Sequence, residues 1–539
     1  MKMMLFQAKS ERNKMTILKI NGLVQKIVAS LFILILCLPL LGRSLWVDEA
    51  MLFSSYPLQN IIDIFRPLPY YDQAATPFYS VLMSLIGNYE PQIIRGISLF
   101  IICLTCLYVL LKNENNWILS FFAALTMTIF INPLVMLSEL KHYGFEVVGS
   151  SISIMWFLRK EDTENLTIKD VLVLLLASFC GISTIVISSI AFLLFLINKY
   201  IASRNFLRSE LLLVLMFFIG IITYYFLIKE ITAPQISNYS DAYSNNGIVS
   251  NIKSLLVSVA STAGTYGLLV IALSLAILIN LILLKNNNSI LAKKIIIISF
   301  AVGFAFLILA AIGLYPAKNA RHVTWGAAFF WVFIFFSFSL LSNENHKEKF
   351  LKYMLLSTVL LFSAKNTVAI WRGNFENTEN NQAIAYLKEK PAAQIGLWST
   401  GQPVIAYYSK IYPELNKHKF FGFVNAASSV VNHKEFMLDK IAFNHIEKRK
   451  MEPGGWSRRV IYRILMNQAP PARSLISEAP KKTSFFIFAS HYELYAKEGF
   501  SKPRVDGLHL AMQEAECEYS IDKEFKNVYI YKVFCPEAK

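Results

Sequence analysis

The chain has 539 residues, of which 55% are hydrophobic and only 16% charged, with a formal charge of +16. Soluble domains carry about 25% charged residues, so an entirely soluble fold is excluded. The basic excess falls in short loops between apolar runs, where it acts as a topology signal, and nucleic-acid binding is not expected.

The shortage of charge is confined to the first two thirds of the chain. Residues 1–371 read as a membrane domain and 372–539 as a soluble domain beyond it. A basic stretch (Lys2, Lys9, Arg12, Lys14, Lys19, Lys26) precedes the apolar run 27–41. That pattern resembles a signal peptide, and Gly42-Arg43-Ser44 loosely fits a cleavage site. The many spans that follow favour an uncleaved first helix with its N-terminus inside.

Taken in chain order, 42–92 is a mixed outer loop in which 76–86 is too short to span and is expected to lie along the membrane. Spans follow at 93–111, 117–137 and 143–158. The run 171–197 has basic residues on both flanks, which requires two short helices broken near 181–189. Further spans are expected at 210–228, 255–284, 295–314, 323–341 and 352–370. The total is about eleven, and everything after Trp371 is left outside. This parity sends the polar clusters 46–72, 139–143, 229–251 and 315–322 to the outer face, within reach of a lipid headgroup.

In the first outer loop Asp48 and Glu49 adjoin Trp46, which suits the membrane interface. A carboxylate in such a loop can act as a general base for a proton that becomes acidic only as a new bond forms. The same pair is also what a helix N-terminus favours.

Trp46-Val47-Asp48-Glu49-Ala50 follows the first helix, Tyr71-Asp72-x-x-x-Thr76-Pro77-Phe78-Tyr79 comes next, and Arg95 opens the second span. In order, spacing and topology, residues 30–160 resemble the first-loop pattern of the GT-C membrane glycosyltransferases. The protein mannosyltransferases and lipid A aminoarabinose transferases are the groups most alike. Thr76-Pro77 stands where those families have Pro-Pro, and Lys141-His142-Tyr143 where they have an Arg-Pro-Tyr-like motif. The resemblance implies a GT-C-like helical membrane fold with a C-terminal periplasmic α/β domain. It also implies a polyprenyl-phosphate sugar donor and a glycan, lipid or protein acceptor, in the inner membrane of a bacterial-type envelope.

On that resemblance Asp48 is the expected general base, with Glu49 beside it in the catalytic set. Lys141, Arg321, Lys318 and Arg95 are the expected donor-phosphate ligands, an Arg gripping phosphate bidentately where a Lys is a point charge. Lys318 and Arg321 are also basic residues on the outer side, where topology statistics disfavour them, so an anionic partner is expected there. Asp72, Glu139, His142, Tyr143 and His322 are expected to contact substrate, and Tyr239, Asp241 and Tyr243 could stack on a sugar. No cofactor is expected. Cys103-x-x-Cys106 lies in an apolar span without a second pair, and no metal motif occurs, although a divalent ion stays open.

In the C-terminal domain 381–390 has a helical pattern, while 394–398 and 484–489 read as strands and 404–409 continues with apolar and aromatic residues. Cys517 and Cys535 bracket the strand-like runs 519–521 and 528–533, and in an oxidising compartment they are expected to form a disulfide. Two other functions fit many spans: a lipid or polysaccharide transporter, and a non-catalytic assembly protein in the membrane. A transporter should place charge on broken helices at mid-membrane. Here charge gathers in loops at one face.

Overall fold

The computed structural model describes residues 20–537, except 423–474, 491–502 and short stretches at 54, 57, 59, 67, 69–73, 113, 204–206, 239–246, 285–287, 317–319, 374, 376–378 and 400. Each apolar run expected to span holds a helix. In order these are α1 (Ile20–Leu36) with the short α2 (Leu38–Leu41), α5 (Pro91–Leu110), α6 (Trp117–Thr128) with α7 (Ile131–Leu137), α8 (Tyr143–Arg159), α9 (Ile168–Ser178), α10 (Ile182–Ser203), α11 (Arg208–Asn238), α12 (Ile248–Leu283), α13 (Ser289–Ala311), α14 (Gly326–Ser339) and α15 (His346–Arg372). Among the described residues, six helices are long and apolar enough to cross a membrane, and a seventh span is α6 with α7 if that bent pair counts as one. The expected total of about eleven therefore exceeds what length alone supports. The break expected near 181–189 falls at Phe179–Gly181, so only α9 is short and α10 runs for 22 residues.

The loop between α5 and α1 carries two shorter helices, α3 (Val47–Phe53) and α4 (Pro77–Ile86). Pro77 opens α4, a position where its missing N–H costs nothing. The turn between α6 and α7 bends the chain by 88°. The carbonyls it frees at Thr128 and Ile129 are taken by the side-chain amide of Asn366 on α15, so the break is satisfied inside the protein. Small residues let other helices close in. A Cβ on Gly149 of α8 would lie 2.4 Å from the Ala177 carbonyl of α9, and one on Gly267 of α12 would lie 2.6 Å from the Phe130 ring.

Basic side chains collect at one end of the bundle. Lys26 donates to the Glu114 carbonyl, Arg159 to the Leu110 carbonyl, and Lys294 pairs with Asp162 at 2.8 Å. Lys160 pairs with Asp170 and Lys199 with Glu210 at the same end. The loops expected to share the cytoplasmic side are thus neighbours in space.

The opposite end carries a five-stranded sheet in the order β2-β1-β3-β5-β4, built from β1 (Gln394–Ser399), β2 (Lys419–Gly422), β3 (Ser484–Ser490), β4 (Glu518–Phe525) and β5 (Val528–Phe534). β1 is parallel to β2 and β3, and the β4–β5 hairpin completes the sheet antiparallel to β3. Helices α16 (Asn380–Glu389), α17 (Gly401–Ile411) and α18 (Pro503–Glu514) accompany it. Residues 404–409, apolar and aromatic, belong to helix α17. Trp398, Phe485, Ile487, Tyr531 and Met512 form a core on one face, while Phe488, Val528 and Ile530 turn to the other, as strand alternation requires. Cys517 and Cys535 are disulfide-bonded across the ends of the hairpin.

This domain grips the first loop. Asn380 donates to the Leu45 carbonyl at 2.9 Å and accepts from Ser490 Oγ at 2.8 Å. The Asn381 N–H donates to Ser44 Oγ at 3.0 Å, and Lys410 donates to the Tyr56 carbonyl at 3.1 Å. Phe53 meets the Tyr407 ring edge-on at 5.7 Å, and Tyr407 Oη donates to the Tyr89 carbonyl.

Candidate functional site

The site is built on the turn that leads into α3. Trp46 is the residue before the helix, and Glu49 stands three positions later. Glu49 Oε2 accepts the Trp46 N–H at 2.9 Å, the return half of a capping box. Its Oε1 accepts the Leu140 N–H at 2.8 Å, so the first loop is hooked to the loop between α7 and α8. Arg95, one turn into α5, closes on the same carboxylate at 2.7 Å, both side chains being almost fully buried. The guanidinium also donates to the carbonyls of Leu41, Arg43 and Ser44. Burial by itself would raise the Glu49 pKa. Arg95, Arg43 and the two N–H donors outweigh it and hold the carboxyl below its usual range.

Arg95 and Glu49 were expected to touch donor phosphate and to share in catalysis. In the structure they are partners of one another and of the backbone that shapes the turn. Arg43 adds to that frame, donating to Ser138 Oγ at 2.9 Å.

The loop 138–142 brings Glu139, Lys141 and His142 to the same place. Tyr143 starts α8, with its ring 4.8 Å from the His142 imidazole and 5.9 Å, edge-on, from that of His322. His322 and Arg321 sit in a short turn, Ala320–Val323, that is held from behind. Tyr315 Oη donates to the His322 carbonyl, Trp325 Nε1 donates to Tyr315 Oη at 2.7 Å, and Thr324 Oγ1 donates to the Arg321 carbonyl at 2.8 Å.

The charges of these loops act on one another. Burial pushes the Glu139 pKa up to about 7; Glu49 adds to the rise, while Arg43, Arg321 and Lys141 oppose it. His142 is pushed down to about 3 by burial and then by Lys141 and Arg321. His322 falls well below the ordinary range for burial first, then for Arg321, His142 and Lys141. At neutral pH both imidazoles are therefore uncharged between two cations.

Of the expected residues, the structure thus brings together Glu49, Arg95, Glu139, Lys141, His142, Tyr143, Arg321 and His322. Asp48 lies in α3 beside Glu49, with its side chain outside the described residues. Asp72, Lys318, Tyr239, Asp241 and Tyr243 also lie outside them. Among the described residues no group of three or more His, Cys, Asp or Glu is arranged to hold a metal ion.

Two residues of the cluster escaped the sequence reading. Arg43 had a usable signal, since it is basic on the side where positive charge is disfavoured. Glu146 had a weaker one, its spacing of four from His142 on a helix. Its Oε1 is 3.9 Å from His142 Nε2, and its Oε2 accepts from Ser183 Oγ at 3.1 Å.

No family model matches the chain, and no curated protein matches it. Among solved structures, the crystal structure of ArnT from Cupriavidus metallidurans bound to undecaprenyl phosphate aligns at 10% identity over 94% of this chain and 97% of that one, with a TM-score of 0.43. The apo-state structure of the same protein aligns at 12% identity over the same shares, with a TM-score of 0.41. The likeness assigns no residue of this chain a role.

Proposed function

We propose that this chain is a multi-pass membrane glycosyltransferase that moves a sugar from a polyprenyl-phosphate donor to an acceptor at the outer face of the inner membrane. The observation that carries the reading is the meeting of three loops, far apart in sequence, in one buried polar cluster where Lys141 and Arg321 bring positive charge to two neutral imidazoles and an acidic turn. Ionisable groups buried as these are, Lys141 at 7% and His142 at 9% exposed, are expensive in a membrane protein and mark a functional site. The proposed sidedness is supported by the basic loops gathered at the far end of the bundle, which would lie in the cytoplasm with the N-terminus.

In the proposed reaction an acceptor oxygen or nitrogen attacks the anomeric carbon. The new bond forms as the bond from that carbon to the phosphate oxygen breaks, polyprenyl phosphate departs with the electron pair, and the configuration inverts. Asp48 takes the acceptor proton late in the step. Lys141 and Arg321, with Lys318, hold the phosphate, whose charge grows as it leaves, so fixed cations favour the transition state over the ground state. Glu49 and Arg95 keep the turn that carries Asp48 in place, Glu139 and Asp72 shape the acceptor side, and the domain from 372 onward braces the loop from behind.

The broken helices needed by a transporter are present at α6–α7 and at Gly264 in α12, where φ is +68°. The amide of Asn366 answers the first break, and that of Asn132 donates to the Ser261 carbonyl near the second. Neutral amides at such breaks favour the transferase reading over a charge-lined path.

The test is transfer of radiolabelled sugar from undecaprenyl-phosphate donors by purified protein in lipid nanodiscs. Asp48→Asn should lower turnover by roughly 10²–10⁴-fold, and Arg321→Ala by about 10²-fold or more. Wild-type turnover by a well-folded Asp48→Asn protein overturns Asp48 as base. Failure of the wild type to bind polyprenyl phosphate overturns the whole reading.

A further inference from the structure

The pairing of His142 with Glu146 is a device that the proposed roles leave unused. His142 is 9% exposed and its Nδ1 has no hydrogen-bond partner among the described residues, whereas its Nε2 faces Glu146 Oε1 at 3.9 Å. Glu146 is 4% exposed and is held at its other end. Ser183 Oγ donates to Oε2, and the N–H groups of Ile182 and Ser183, the free donors at the start of α10, reach the same carboxyl. Gly181 leaves the room this needs, since a Cβ there would sit 2.2 Å from Glu146 Cγ. The carboxyl is thus clamped against one helix and turned toward an imidazole on another loop.

At 3.9 Å Oε1 lies just beyond hydrogen-bond distance of Nε2, and a small rotation of the ring toward it places the ring proton on Nε2. A second proton on the ring is opposed by burial and by Lys141 and Arg321. Nδ1 is left as a buried lone pair. Leaving such an acceptor unmet is costly, and it cannot be met by a phosphodiester, which has no proton to donate. A sugar hydroxyl has one.

Resting on the transferase reading, we infer that Glu146 is a positioning residue that fixes the His142 ring so that Nδ1 accepts a hydrogen bond from a hydroxyl of the donor sugar. The cluster then divides its labour. Lys141, the neighbour of His142 in sequence, faces the phosphate, and His142 reads the sugar next to it.

The inference is tested by binding to full-length protein in nanodiscs, using undecaprenyl phosphate and its glucosyl, mannosyl and arabinosyl forms as probes. The wild type should bind at least one glycosylated form more tightly than the bare lipid. His142→Ala should lose roughly 10-fold in affinity for that form and less than 2-fold for the bare lipid.

Glu146→Gln should do the same for a specific reason. The donors from α10 claim the amide oxygen, the NH2 group turns to Nε2, and the ring proton moves to Nδ1, making a donor of the acceptor. His142→Asn places an amide oxygen where Nδ1 was and should keep discrimination within about 3-fold of wild type. In that background Glu146→Gln should change nothing further.

Ser183→Ala, a milder release of Glu146, should act in the same direction and guards against misfolding of the Glu146 variant. Equal loss for bare and glycosylated lipids, additive effects of Glu146→Gln and His142→Asn, or a wild type indifferent to the sugar each overturn the inference. In all three cases binding of the bare lipid would leave the transferase reading standing, whereas absence of that binding would remove it.

Discussion

Removing Arg95 should be more damaging than removing its partner. Arg95 and Glu49 form an almost fully buried pair at 2.7 Å, 46 residues apart in sequence. Replacing Arg95 by Met strands a carboxylate that keeps the N–H groups of Trp46 and Leu140, and it frees the carbonyls of Leu41, Arg43 and Ser44 together. Breaking one side of a buried pair costs about 3–5 kcal/mol.

Glu49→Gln keeps an oxygen for the Leu140 N–H and leaves Arg95 on its carbonyls, so a cost of about 1–3 kcal/mol is expected. The double variant removes the stranded charge and should recover part of the loss, giving a coupling of about 1–3 kcal/mol. Thermal unfolding in nanodiscs followed by tryptophan emission ranks the three, with Arg95→Met lowest and Glu49→Gln highest. Wild-type stability in Arg95→Met, or simple additivity in the double variant, would refute the claim that these two side chains hold the turn as one unit.

The pH dependence of stability carries two opposed contributions. Glu139 has a folded pKa raised from 4.5 to about 7, so the folded protein binds a proton the unfolded chain has lost, and stability falls as pH rises through that window. His142, lowered from 6.5 to about 3, is protonated more readily in the unfolded chain, so stability falls as pH drops through its window. Glu139→Gln should therefore abolish the loss of stability as pH rises from about 4.5 to about 7, and His142→Asn the loss as pH falls from about 6.5 to about 3, both measurable as melting temperature against pH. Gly181→Ala should destabilise by about 1–3 kcal/mol through displacement of Glu146, whose Cγ would lie 2.2 Å from the new Cβ, and a neutral result would show that α10 can shift. Cys517→Ser should cost about 3 kcal/mol for release of a loop of 18 residues, read as faster proteolysis of the β4–β5 hairpin under non-reducing conditions.

Much of the helical layout is legible in the sequence because it depends on local quantities. A run of apolar residues must be covered, and its length decides what it can reach, so each expected span holds a helix. The chain also marked its two ends through its lysines and arginines, and those near 26, 159–160, 199 and 294 do meet at one end. Where reading by length went astray, at α9 and α10 and at the bend between α6 and α7, the breaks depend on partners elsewhere. The carbonyls freed at Thr128 and Ile129 are tolerable only because Asn366 is there to receive them.

The site divides in the same way. Residue type and loop position were enough to gather Glu139, Lys141, His142, Tyr143, Arg321 and His322 into one group, because ionisable side chains in loops on one side have few places to go. What each does was beyond the sequence. Only the folded chain decides that Arg95 closes on Glu49, that Glu146 turns to His142 while bound to the start of α10, and that Asn380 and Lys410 of the C-terminal domain grip the loop carrying α3. Those choices arise from distances between segments tens to hundreds of residues apart, set by the packing of whole helices, and no local pattern records them.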